Sequence, residues 1–173
     1  MIRIQTEDFD VSEETKRLRK DRTDVGAIVS FTGTVRQTKP CPPSSVTKGQ
    51  KEANKSSLLS LTLEHYPGMS ERELQRIEGE ARQRWSLLDC LIIHRTGELF
   101  PGDNIVLVLT LSRHRQDAFE AASFLMDYLK TSAPFWKKEK FSTHASWVKA
   151  RTQDEEAAKS WEPSDVVGPL QKH

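Results

Sequence analysis

The chain has 173 residues, 36% of them apolar and 29% charged, which suffices for one ordinary domain with its own core. Its 26 lysines and arginines so nearly balance its 25 aspartates and glutamates that the formal net charge is +1, which argues against the broad positive field of a general nucleic-acid binder. No window approaches the roughly 18 apolar residues of a membrane span, and Met1 leads into a polar start rather than a signal peptide, so a cytosolic chain with no membrane or nucleic-acid partner is expected.

Residues 12–20 predict a short peripheral helix, with Ser12 as cap and Glu13 and Glu14 in the first turn, where the helix dipole favours them. Residues 25–35 (VGAIVSFTGTV) are rich in β-branched side chains around two glycines, and predict a buried strand with a bulge or close backbone approach near Gly33. Residues 37–57 hold three prolines, several Ser and Lys and no apolar period, the pattern of a flexible loop. Residues 58–65 alternate as a strand, closed by the turn Tyr66-Pro67-Gly68-Met69.

Ser70, with Glu73 three residues on, has the form of a capping box, and Leu74, Ile77, Ala81 and Trp85 follow at helical spacing. Residues 87–94 and 104–112 predict two further strands, antiparallel neighbours across a connection with Gly97, Pro101, Gly102 and Asp103, which makes four strands in one expected sheet. Residues 116–130 set Ala118, Phe119, Ala122, Leu125, Met126 and Leu129 on one stripe of a helix that has to end before Pro134. A short strand at 146–150 and a helix at 154–161 complete the prediction. The fold class is therefore α+β with a mostly antiparallel sheet, one domain over residues 1–161 and a flexible tail at 162–173.

Cys41 and Cys90 are too few and too differently placed for a disulfide framework or zinc site, and Cys90 reads as a small buried hydrophobe. His65 and His94 each end a strand without a second ligand at metal spacing, so no metal is predicted and a structural role is expected for both. Gly26 and Gly33 lie within a strand rather than between strand and helix, which is not the arrangement of a nucleotide-binding loop. What remains is a set of cations at element ends: Arg36, the pair His114-Arg115, Lys130, and the pair Lys137-Lys138. Lys130 precedes Ala133-Pro134-Phe135-Trp136, and an apolar surround there would disfavour its ammonium form and make it a usable base. Arg115 and Lys130 stand fifteen residues apart, roughly 22 Å along a helix, too far for one small ligand. They serve either different sites or one site completed by a two-fold mate, and the second arrangement is favoured.

Four stretches, GAIVSFTGTVR at 26–36, LTLEHYPGM at 61–69, HRTGELFPGD at 94–103 and SRHRQDAFEAASFLMDYLKTSAPFWKKE at 112–139, together with WVKAR at 147–151, resemble the large subunits of molybdopterin synthase in order and spacing. The resemblance spans about residues 8–161, and MDYLK with APFWK is its most specific part. It implies a hammerhead-type α+β fold and a homodimer within a heterotetramer, whose two small ubiquitin-like subunits each thread a Gly-Gly tail ending in a thiocarboxylate. The implied reaction moves that sulfur to cyclic pyranopterin monophosphate, making the dithiolene of molybdopterin without a cofactor or metal.

By the same resemblance Lys130 and Lys137 would be catalytic. Thr34, Val35, Arg36, His114, Arg115, Lys138, Glu139 and Arg151 would bind the pterin substrate, and Phe31, Met126, Pro134 and Phe135 would wall the tail pocket. The chain departs from the family at Thr34, where a lysine is common, and in the length of its 37–57 loop. A non-catalytic module that docks a ubiquitin-like protein is the alternative reading of the same cations.

Overall fold

In the computed structural model, which describes residues 1–37, 57–131, 133–142, 145–148 and 158–161, two nearly unbroken apolar segments form the centre of the fold. These are β4 (Leu87–Arg95) and β6 (Asn104–Ser112), which pair antiparallel as expected. Their sequences do not alternate polar with apolar because both faces of the pair are covered. Cys90, Ile92, Val106 and Val108 face a core shared with Leu74, Ile77, Phe124, Leu125 and Leu129, whereas Leu91, Ile93, Leu107, Leu109 and Leu111 face Phe9 and Leu18.

The first of these cores is roofed by α2 (Met69–Arg84) and α3 (Arg115–Thr131), whose inward residues Leu74, Ile77, Ala81, Phe124 and Leu125 are fully buried. Phe119, expected on the inward stripe of α3, is instead exposed (62%). The second core is partly covered by α1 (Val11–Arg19). Its cap is Asp10 rather than Ser12: the Asp10 carboxylate accepts the Glu13 N–H at 2.9 Å, and Ser12 already lies inside the helix.

α2 begins one residue before the predicted Ser70. The Glu71 carboxylate accepts the N–H of Gly68, whose φ of 81° turns the chain, while the buried Ser70 hydroxyl donates to the Pro134 carbonyl at 3.2 Å. Ser70 thus ties the start of α2 to the segment after α3 instead of capping its own helix.

The single four-stranded sheet expected from the sequence is corrected to two. One has the order β1-β4-β6-β2, with β1 (Ile2–Gln5) parallel to β4 and β2 (Ala27–Thr34) antiparallel to β6. The other has the order β5-β3-β7-β8 and is antiparallel throughout, with β5 (Gly97–Leu99), β3 (Leu58–His65), β7 (Phe135–Phe141) and β8 (Ala145–Val148). Strand β3 keeps its predicted bounds but belongs to this second sheet, over a third core of Val35, Leu58, Leu61, Leu63 and Leu99.

Strand β2 is an edge strand, half exposed rather than buried, because among the described residues only β6 pairs with it, while α3 packs against it. The predicted bulge is present, with a register shift between Gly33 and Thr34. Backbone approach is tightest at Gly26, where a Cβ would stand 2.2 Å from the Arg113 carbonyl oxygen, and at Gly33, where it would stand 2.8 Å from Val106 Cγ1. The first of these contacts sets β2 against the turn that leads into α3.

The 37–57 loop, apart from its end residues, and the 162–173 tail lie outside the described residues. So does the first half of the predicted last helix at 154–161, of which residues 158–161 form a turn closed by the Trp161 N–H to the Ala158 carbonyl. Trp161 packs edge-on against Trp85 and Phe124 and donates its indole N–H to Asp127, which pins this turn onto α2 and α3.

Candidate functional site

Helix α3 carries two groups of candidate residues, one at each end. His114 and Arg115 are exposed at its start, where the His114 N–H donates to Ser112 Oγ at 3.2 Å, and Lys130 is exposed in its last turn. The apolar surround expected for Lys130 is therefore not present within this single chain. The fully buried Phe124 and Leu125 and the buried Leu129 make a rigid base for that last turn.

After α3 the chain reverses within a few residues, with the Ala133 N–H donating to the Tyr128 carbonyl and the Phe135 N–H to the Ala133 carbonyl, and enters β7. This reversal brings the two predicted lysine segments to one corner. Met126 lies four residues before Lys130, on the same side of α3, and packs on the core that also receives Phe135. Pro134, half-buried, lines an open groove of about 460 Å³ with Met69, Arg72, Glu73 and Arg76.

Strand β7 was not anticipated, because FWKKEKF reads as a basic cluster after a helix rather than as a strand. Its pairing sorts the candidates by face. Phe135, Lys137 and Glu139 stand opposite His65, Leu63 and Leu61 of β3, on the side that carries the third core, while Lys138 projects from the other side, with its ammonium 5.5 Å from the centre of the Trp147 ring. Lys137 and Lys138, neighbours in sequence, therefore address different spaces.

On β2, Phe31 (40% exposed) pairs with Val108, and Thr34 is exposed beyond the bulge. Val35 is 3% exposed and belongs to the third core; its N–H and carbonyl bond to Asp103 and Gly102, so its role is to fix the point from which the exposed Arg36 leaves the strand. Arg151 lies outside the described residues.

A residue group that sequence reasoning treated only as strand ends stands beside Lys137. His94, 5% exposed at the end of β4, stacks on Phe135 with ring centres 3.7 Å apart and planes 11° from parallel, and His65 stacks more loosely on Phe135 at 6.2 Å. Nδ1 of His94 lies 2.9 Å from the Arg95 carbonyl, which only accepts, so Nδ1 carries the proton. Burial pushes the imidazole down to about 4, against the raising effect of that hydrogen bond and with help from the nearby charges of Lys137 and His65. The only sequence signal for this cluster would have been the i, i+2 spacing of Phe135 and Lys137, had β7 been recognised.

Because His94 titrates near 4 when folded and near 6.5 when free, unfolding takes up a proton between those values, and stability falls as pH drops through that window. A denaturant series from pH 7 to pH 4 is expected to show this loss, on the order of 3 kcal/mol at the acid end. His94→Phe is expected to remove that component, and an unchanged acid slope in the variant would show that other groups carry it.

Cys90 is buried, and burial pushes its thiol up to about 12, so it is a packing residue. Native protein is expected to leave Cys90 unlabelled by iodoacetamide at pH 8, with labelling only in denaturant, as read by peptide mass spectrometry. Among the described residues, no three or more His, Cys, Asp or Glu side chains converge as a metal site. None of the helices described is long and apolar enough to cross a membrane.

The sequence model described as MoaE protein matches residues 4–132. The chain belongs to the MoaE family. This MoaE-family chain is 48% identical over 165 residues to the molybdopterin synthase catalytic subunit of Mesorhizobium japonicum, covering 94% of each. Its structure is similar to the molybdopterin biosynthesis MoaE protein of Burkholderia ambifaria, with TM-score 0.72, 43% identity, and 93% and 97% of the two chains covered. The same fold occurs in a complex of subunits 1 and 2 of molybdopterin-converting factor from Helicobacter pylori, with TM-score 0.65, 18% identity, and 87% and 91% covered. The α+β class inferred from the sequence is thus the fold of MoaE proteins.

Proposed function

We propose that this chain is the catalytic subunit of molybdopterin synthase, a sulfurtransferase. It takes sulfur from the C-terminal thiocarboxylate of a small ubiquitin-like subunit and places it on cyclic pyranopterin monophosphate to form the dithiolene. The observation that carries the reading is the 48% identity with a molybdopterin synthase catalytic subunit over 94% of both chains. The α3–β7 corner supports it, since the two lysine segments of the family motif meet there.

In this reading Lys130 and Lys137 act at the tail's acyl carbon. The bond from that carbon to sulfur breaks as sulfur goes to the pterin, and water supplies the oxygen that leaves the tail a carboxylate. An ammonium beside the carbon steadies the oxyanion formed on the way, and a lysine amine moves the protons. Phe31, Met126, Pro134 and Phe135 wall the tail. Arg36, His114 and Arg115 hold the anionic pterin, for which a planar guanidinium suits the phosphate. Thr34, Val35, Lys138, Glu139 and Arg151 complete the substrate-binding set, with the buried Val35 acting by fixing where Arg36 leaves the strand. Two copies of this chain form the central dimer of a cytosolic heterotetramer, so that Arg115 of one copy and Lys130 of the other serve one site across the roughly 22 Å that separates them in each helix. The Helicobacter pylori protein that shares this fold occurs in a complex of two subunits.

The test mixes this protein with a thiocarboxylated small subunit and the cyclic precursor and follows dithiolene formation. Product is the expected result. A folded protein that binds the small subunit and forms no product would make the chain a docking module instead.

A further inference from the structure

The His94–Phe135 stack joins two sheets that, among the described residues, share no strand pairing. His94 ends β4 of the first sheet and Phe135 begins β7 of the second, so the parallel rings at 3.7 Å bridge the sheets where the chain emerges from α3. On one side His94 is anchored by its Nδ1 proton to the Arg95 carbonyl. Arg95 in turn donates to the carbonyls of Thr6 and Asn104. On the other side Phe135 is stacked by His65 and pairs with it across the ladder. Lys137 follows two residues later on the same face of β7, with Leu63 opposite.

We propose that His94 is a positioning residue for Lys137: through its stack on Phe135 it sets where β7 begins, and so where the Lys137 amine stands relative to Lys130. This rests on the reading of Lys137 as a catalytic group. The titratable groups that bear on His94 are Lys137 of β7 and His65 of β3, and Arg95 beside it contributes its carbonyl. An uncharged ring serves the purpose, because a cation at this point would be buried and would face the Lys137 ammonium. Aromatic shape, rather than proton transfer, is what the position demands.

The proposal separates two substitutions. His94→Ala removes the ring and is expected to lower kcat about tenfold to a hundredfold, the scale of a misplaced catalytic group, with KM for the thiocarboxylated small subunit within about twofold. His94→Phe keeps a flat ring on Phe135 and is expected to recover kcat to within about threefold of wild type. Both are assayed well below their melting temperatures, so that loss of folded protein does not enter.

A second readout needs no activity. Lysines are reductively methylated with 13C-formaldehyde, and the Lys137 signal is assigned with Lys137→Arg. In His94→Ala that signal, from an exposed lysine next to the His94–Phe135 stack, is expected to shift from its wild-type position as the ring is lost, and in His94→Phe to stay near wild type. Equal kcat values for the two variants, or a Lys137 signal indifferent to both, would overturn the positioning role. A wild-type rate in Lys137→Ala would instead remove the catalytic reading of Lys137, and the methylation signal would then decide the positioning claim alone.

Discussion

Lys130→Ala is expected to slow dithiolene formation by at least about a hundredfold, with binding of the small subunit nearly unchanged, because the lost amine acts on charge and protons that appear only during the reaction. The expectation follows from where the helix holds this residue. Phe124 and Leu125 are fully buried and Leu129 is 7% exposed, so the last turn of α3, which carries the exposed Lys130, is held on a packed base. Replacing the lysine leaves that packed base intact and removes one functional group. Lys16→Ala on α1, where the lysine pairs with Glu13 at the surface, is the control and is expected to keep the wild-type rate. Single-turnover rates with preloaded small subunit make the comparison. A Lys130→Ala rate within about threefold of wild type would remove this residue from the chemistry and leave Lys137 to account for it.

Phe124→Ala is expected to destabilise the protein by about 3–5 kcal/mol, the range for truncating a buried aromatic ring. Phe124 has no exposed surface and sits among Trp85 at 5.3 Å, Tyr128 at 4.7 Å and Trp161 at 5.7 Å, with the Arg84 guanidinium 4.9 Å from its ring centre. Its removal opens a void between α2, α3 and the Trp161 turn that none of these large rings can fill without leaving its own contacts. Because α3 carries candidate residues at both ends, the loss loosens the site as well as the fold. Phe119→Ala, on the same helix but 62% exposed, is expected to stay within about 0.5 kcal/mol of wild type. Urea denaturation of the two variants side by side tests the pair, and a loss under about 1 kcal/mol in Phe124→Ala would show that the cluster repacks.

The exposure of Phe119 also marks where helical periodicity stops being informative. Its neighbours Ala118 and Ala122 are correctly placed on the buried side, whereas Phe119, one of the six apolar residues of that stripe, faces solvent. Which edge of the stripe meets solvent depends on what lies beneath it, and on whether a second copy covers it.

The sequence by itself determined the long helix, the alternating strand at 58–65, the pairing of the two apolar strands and the bulge in β2, because each rests on local periodicity or on residues adjacent in the chain. It also determined the family, since the order of MDYLK, APFWK and the other motifs is itself linear information. Only the tertiary structure decided that the strands divide into two sheets, that FWKKEKF is a strand, that Lys137 and Lys138 face apart, and that His94 of one sheet stacks on Phe135 of the other. The physical reason is common to all four. A strand's alternation gives the side on which each residue projects, but the partner strand, the register and whatever lies across that side come from contacts tens of residues away, on which local sequence is silent.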